Sequence, residues 1–269
     1  MLIELTVRNI VDIPKIIEGI VEIGATKVAL TDKNGMPDNL FAASEIREAL
    51  PNIKIITYYS LKNHTSKVVE DKYEDIKQYF ERAGKIGVDT VLLVSGSQRP
   101  KFDTLAALDF IKVNNLKPDS VSLAVAYNPF LDGDDLTLEN QRLRIKADSG
   151  LVDKVYLQIG TDITALTKGV EVIKKVLPNA TIGGSLIVPT PYMISSFRLR
   201  PWKGVIISPE FLSSLESAFE INKKLTDKYA EFVIEPIYGI YTITPKAIES
   251  LNIMIKKIAY SFDRTGESE

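Results

Sequence analysis

The stretch LIELTVRNIVDIPKIIEGIVEIGATKVALTD, Leu2 to Asp32, contains the unit from which the rest of the chain is read. LIELTV (2–7) is short, apolar and β-branched, as a buried strand requires, and it stops at Arg8. Ile13, Ile16, Ile17, Ile20 and Val21 then recur at helical spacing, so DIPKIIEGIVEIG is expected to be an amphipathic helix. Asp12 can cap that helix, Pro14 suits its first turn and Gly24 suits its exit. KVALTD (27–32) is the next strand.

The same alternation runs outward from this unit. IKIITYYS (53–60) leads into EDKYEDIKQYFERAGKIG, where Ile76, Tyr79, Phe80 and Ala83 form the apolar stripe. DTVLLVSG (89–96), SVSLAVAY (120–127), KVYLQIG (154–160), ATIGGSLIV (180–188) and EFVIEPI (231–237) are each followed by helical material, with helices expected near 39–50, 135–149 and 209–228. Eight strand–helix units joined by short connections favour parallel pairing with right-handed crossovers. That number of units in about 260 residues is the size of a closed (β/α)8 TIM barrel, over 1–260, with a polar tail at 261–269. An open doubly wound sheet is the alternative. No GxGxxG follows the first strand, which leaves a dinucleotide-binding Rossmann domain without its phosphate loop.

Composition narrows the chemistry. The chain has no cysteine, which excludes disulfides, thiolate nucleophiles and cysteine-ligated metal centres. With a single histidine, His64, a transition-metal site is not expected, and serine–histidine catalysis would depend on that residue alone. His64 lies in LKNHTSK, a polar loop, where a solvated side chain is the plain expectation. A net charge of −2 offers no basic field for nucleic acid, and no apolar run is long enough to span a membrane, so a cytoplasmic protein is expected. No strand clearly offers an inward lysine for Schiff-base chemistry.

In a barrel the strand residues alternate between the helix layer and the centre, and sites lie at the carboxyl ends of the strands. Ile3, Leu5 and Val7 make one apolar row facing the helices, leaving Glu4, Thr6 and Arg8 inward. A carboxyl in an apolar strand is costly unless paired or protonated, which makes Glu4 the leading candidate for a catalytic acid; an ion pair with Arg8 or a lysine is the structural alternative. The same parity places Thr31, Tyr58, Ser60 and Gln158 inward, and adds Glu235 on the eighth strand. Two further stretches suit anions. VSGSQRP (94–100) leaves its strand through Gly96, with a plain turn as the alternative, and Arg142 and Lys146 lie four apart on one helical face, with a solvated face as the alternative.

Taken in order, these residues resemble the methylenetetrahydrofolate reductases, (β/α)8 enzymes that carry FAD. Glu4 of IELTV matches the glutamate of the family's FEFFPP, and Thr31 of VALTD the threonine of VTYG. Tyr58 and Ser60 of TYYSL stand in the place of HLTC. Gly96 matches LRGDPP, Tyr127 of AVAYNP matches AGYPE, and Lys146, Asp148 and Gly150 match KVDAG. Gln158 stands where the family's TQ glutamine holds the pterin.

The resemblance spans residues 1 to 258 and implies FAD held near Thr31, Tyr58, Ser60, Gly96, Tyr127, Arg142, Lys146 and Asp148, a pterin on Gln158, and Glu4 as the acid. It departs from the family where Ser95 and Ser97 replace the arginine and aspartate of RGD, where Tyr58 replaces a histidine, and where one extra residue separates Gly150 from Gln158. The implied reaction reduces a methylene-pterin to its methyl form. The alternative is a barrel that binds a pterin without reducing it, as a subunit of a methyl-transfer complex. The expected partner is a small-molecule pterin, with the chain acting as a homo-oligomer or as part of a larger complex.

Overall fold

The computed structural model describes residues 1–64, 69–95 and 103–259. Strands β1 (Leu2–Leu5), β2 (Lys27–Leu30), β3 (Lys54–Ser60), β4 (Thr90–Val94), β5 (Ser122–Tyr127), β6 (Lys154–Leu157), β7 (Thr181–Ile187) and β8 (Glu235–Gly239) pair in sequence order, all in parallel. β8 then pairs with β1, matching Leu2 to Ile237 and Glu4 to Gly239, so the sheet closes into a barrel and the open sheet is ruled out. Around it lie α1 (Ile13–Ile23), α2 (Asn39–Ala49), α3 (Val69–Ile86), α4 (Thr104–Val113), α5 (Gly133–Asp148), α6 (Ile163–Val176), α7 (Pro191–Leu199), α8 (Leu215–Phe232) and α9 (Pro245–Ala259).

The alternation expected for β1 holds. Ile3, Leu5 and Val7 are buried in the large cluster between strands and helices, while Leu2 belongs to a smaller cluster at the barrel axis with Ala29, Ile56, Leu92, Ala124, Tyr156 and Ile237. Two adjacent glycines in β7 make room on both faces. A side-chain carbon on Gly183 would come within 2.3 Å of the Tyr156 ring inside the barrel, and one on Gly184 within 2.4 Å of the Tyr229 ring under α8. Tyr229 is almost wholly buried there, and its hydroxyl donates to the Ser185 carbonyl at 3.2 Å.

Some boundaries differ from the sequence reading. Ile10–Asp12 form a 3-10 turn capped by Asn9, so Asp12 makes no side-chain cap to α1, although Pro14 and the left-handed Gly24 act as expected. Val21 is exposed, and Ile23 takes its place on the buried face. The stretch 231–237 is not a strand throughout: α8 continues to Phe232, Val233 ends it in a left-handed conformation, and β8 starts only at Glu235. The helix expected at 209–228 lies at Leu215–Phe232, and α7, which begins at Pro191 behind a Thr190 cap, was not expected at all. Apolar residues run on through the α8–β8 junction, so hydrophobicity alone does not mark the change of period there.

Replacing Gly184 with alanine forces the Tyr229 ring out of its seat. Overpacking of this kind is expected to cost about 1–3 kcal/mol. Urea unfolding of Gly184→Ala should show a lowered midpoint with an unchanged slope, and a variant as stable as the parent would refute this packing.

Candidate functional site

The carboxyl ends of the strands form a mouth with Glu4 at its floor. Tyr58, inward from β3, donates its hydroxyl to Glu4 Oε2 at 2.5 Å. Just above, Thr6 and Thr31 share a hydrogen bond at 2.7 Å. A small part of Glu4 is reachable from the mouth, but its carboxyl is packed round by protein. Burial is the dominant influence and raises its pKa above the ordinary 4.5, while the Tyr58 hydrogen bond and the Lys33 charge pull it back. The partner of Glu4 is therefore a phenol with a distant ammonium, rather than Arg8, which lies exposed beyond β1. Burial, together with the charge of Glu4, also pushes the Tyr58 phenol far above its ordinary value, so Tyr58 remains a hydrogen-bond donor.

Tyr241, which follows β8, walls the mouth on one side. The Lys33 ammonium stands 5.3 Å from its ring centre, and Trp202 meets it edge to face with centroids 5.0 Å apart. Neither aromatic was singled out from sequence; the available signal was a tyrosine directly after a strand end and the chain's one tryptophan in a loop. Gln158 follows β6 on the same side of the strand as Tyr156. Its backbone N–H donates to the Tyr127 carbonyl at 2.9 Å, and its side-chain oxygen accepts from the Ile159 N–H at 2.9 Å.

The residues implied for a flavin fall at separate places. Thr31 and Tyr58 are at the mouth, and so is Ser60, buried, with its N–H donating to Asp32 at 2.7 Å. Tyr127, Arg142 and Lys146 lie in the layer between β5 and α5. Tyr127 faces the helices and donates to Asn140 at 2.6 Å, and Arg142 pairs with Asp103 at 2.7 Å. Lys146 is buried with its ammonium on the Ala126 carbonyl at 2.7 Å and Glu139 at 3.7 Å. These contacts tie α4, α5 and β5 together and turn the three side chains toward protein partners. Asp148 is exposed in the last turn of α5, which runs to the amino ends of the strands, opposite the mouth. Gly96 and Ser97 lie outside the described residues. The described positions do not line one groove, and as arranged they do not fit a flavin.

His64 is not the solvated loop residue its surroundings in sequence suggest. Its ring stacks on Tyr59 with centroids 4.1 Å apart, and its two nitrogens meet Asp32 at 2.9 Å and Asp75 at 2.7 Å. Burial by itself would lower its pKa, but the two carboxylates outweigh burial and push it up to about 9. Both nitrogens then donate, and the ring is an imidazolium clamped between the β2 and β3 ends and α3.

Glu235, placed among the carboxyl-end candidates by parity, begins β8 at the opposite end, where it pairs with Lys27. Inward lysines do exist, contrary to expectation, but at that amino end of the barrel: Lys27 holds Glu235, and Lys154 donates to Thr90 at 2.8 Å. Among the described residues no group of histidine, aspartate and glutamate is arranged to hold a metal, and no helix is long and apolar enough to cross a membrane.

No protein-family model matches the chain, and no curated protein matches it in sequence. Solved structures do resemble it. An uncharacterised protein from Clostridium thermocellum that binds two copies of 5-methyl-5,6,7,8-tetrahydrofolic acid superposes with a TM-score of 0.68 at 15% identity, covering 96% of this chain and 94% of its own. The active domain 2 of a thermostable chitinase from Pyrococcus furiosus does so with 0.57 at 13% identity over 97% and 95%, and endonuclease IV from Thermus thermophilus with 0.56 at 14% over 96% and 98%. At such identities the likeness establishes the fold, which these proteins use for different chemistry.

The single histidine makes its protonation directly readable. NMR titration of the His64 ring should give a midpoint near 9, and a value near the ordinary 6.5 would break the clamp. Because the folded pKa is the raised one, the stabilisation from this imidazolium is complete below pH 6.5 and fades as pH rises through about 9. Glu4 likewise loses stability as pH rises, although here it is the neutral form that burial favours. Its folded pKa lies above the unfolded one, so ionisation disfavours the native state as pH rises past 4.5. Glu4→Gln should therefore unfold at higher temperature than the parent at pH 7, and a lowered melting temperature would contradict a desolvated acid.

Proposed function

We propose that this barrel binds a reduced pterin in the mouth above Glu4 and reduces a methylene-pterin to its methyl form. The observation that carries the reading is the Glu4–Tyr58 pair: a carboxyl made a weak acid by burial, held by a phenol, at the end of the barrel where substrates bind. Such an acid keeps its proton at a higher pH than an exposed carboxyl and can pass it to a nitrogen.

In the proposed step, the bond between the bridging methylene carbon and one amine nitrogen breaks, and that nitrogen takes the Glu4 proton. The other nitrogen supplies its lone pair to form an iminium. A hydride from an external reductant, of the nicotinamide or deazaflavin class, adds to the carbon and completes the methyl group. The Glu4 carboxylate left behind is stabilised by the Tyr58 hydroxyl and the Lys33 charge. Gln158, at the end of β6, offers its amide to the pterin's own amide edge. The Clostridium thermocellum barrel supports the choice of substrate class, since its ligand is a methylated reduced pterin.

A second reading has its own support. The positions implied for a flavin are scattered and occupied by structural partners, which favours a barrel that binds the pterin without reducing it, as part of a methyl-transfer complex.

The discriminating experiment is turnover of methylenetetrahydrofolate with each donor class, alongside an absorbance spectrum of the untreated protein. On the first reading turnover is measurable and Glu4→Gln loses about 10²–10⁴-fold in rate while still binding tetrahydropterin. Unchanged turnover in that variant removes Glu4 as the acid. Tight pterin binding with no hydride transfer from any donor selects the second reading, and absence of pterin binding defeats both.

A further inference from the structure

Beside the mouth, and sharing Lys33 with it, lies a cavity of about 310 Å³ between the β2–α2 loop and α3. Its wall includes Asp32, Asp38, Asp75, Asn34, His64 and Arg82. The charges of this wall look balanced, but the carboxylates are already engaged. Asp32 accepts from the Ser60 N–H, Asn63 and His64. Asp75 accepts from the Tyr59 hydroxyl at 2.6 Å and pairs with His64, and Asp38 takes Arg82 and caps α2 through the Leu40 N–H.

Lys33 is left over. The turn Lys33–Met36, closed by the Met36 N–H on the Lys33 carbonyl and by a left-handed Gly35, sets it at the rim. As a residue it is exposed, yet its ammonium tucks over Tyr241 in surroundings dense enough for burial to lower its pKa. Among the described residues no carboxylate lies within ion-pair distance of it. The acid whose charge acts on it is Glu4, which is itself a weak acid, and the charges of two more cations, Arg8 and Lys62, are felt at its ammonium. A chain of net charge −2 thus gathers three cations at one side of its mouth, next to a polar cavity, and among the described residues none of the three has an ion-pair partner.

We propose that Lys33, with Arg8 and Lys62, anchors an anionic tail, a carboxylate or a phosphate, of the ligand whose ring lies over Glu4, the tail lying along the rim beside the cavity. This rests on the pterin reading of the mouth and adds the feature that selects among pterins. The ring is recognised at the floor by Glu4 and Gln158, whereas the tail is recognised by charge at the rim and so is sensitive to salt. Trp202, packed against the tyrosine beneath Lys33, is a built-in reporter of that rim.

The experiment separates tail from ring by using each alone on the full chain. The probes are 6-methyltetrahydropterin for the ring, 4-aminobenzoylglutamate for a carboxylate tail and ribose 5-phosphate for a phosphate tail, followed by Trp202 fluorescence and calorimetry. At least one anion should bind the parent, more weakly as salt is raised, and Lys33→Gln should weaken it about three- to tenfold. Arg8→Gln, on a separate segment, should do the same to a smaller degree. The anion that binds more tightly identifies the tail. Failure of both anions to bind the parent, or equal binding by parent and Lys33→Gln, overturns the anchor. Failure of the ring alone to bind the parent overturns the pterin reading instead, whatever the anions do.

Discussion

Closure of the sheet through the β1–β8 pairing is the constraint on which the rest depends. Matching Glu4 to Gly239 brings the end of β8 beside the one acid of β1 and carries Tyr241 past it, with the Tyr241 carbonyl accepting the Thr6 N–H at 3.3 Å. An open sheet would leave Glu4 at an edge, solvated and ordinary. In the closed barrel its carboxyl is packed among strands, and water, the partner it would otherwise prefer, is largely replaced by the Tyr58 hydroxyl. The unusual acidity is thus a consequence of topology.

The two ends of the barrel handle charge differently, and the difference separates stability from function. At the amino end Lys27 meets Glu235, and Asp89 collects Lys54 at 2.8 Å, Arg47 at 3.0 Å and the Ile55 N–H at 2.9 Å. These groups neutralise one another and pin neighbouring strands. At the carboxyl end Glu4 has a phenol where a cation would be expected, and Lys33 has an aromatic ring where an anion would be expected. Groups left incompletely matched in this way are those available to a ligand. His64 belongs to the first kind despite its place near the mouth, because both of its nitrogens are taken.

Much of the fold is readable from short-range pattern. The strand alternation of β1 survives intact in the structure, as do the α3 stripe of Ile76, Tyr79, Phe80 and Ala83 and the glycine exit of α1, because each depends on neighbours within a few residues. Glu4 is readable for a related reason: a carboxyl within an apolar row is anomalous wherever the row is buried. Lys146 is not readable. Four-residue spacing from Arg142 puts both on one helical face, but whether that face meets solvent, a ligand or β5 depends on how α5 packs, and it packs with Lys146 against the Ala126 carbonyl.

By itself, then, the sequence determined the repeating strand–helix unit, the parity of the strand residues and the presence of one inward acid, since these follow from local periodicity and the cost of burying charge. Only the tertiary structure decided which end of a strand a residue occupies and what it touches. Glu235 has the right parity and the wrong end, because its strand starts four residues later than its apolar run. His64 finds Asp32 across 32 residues and Asp75 on α3, Tyr58 finds Glu4 across 54 residues, and Lys33 finds Tyr241 across the closure of the barrel. Contacts so distant in sequence carry no periodic signal, so the chemistry of the mouth emerges only when the barrel is closed.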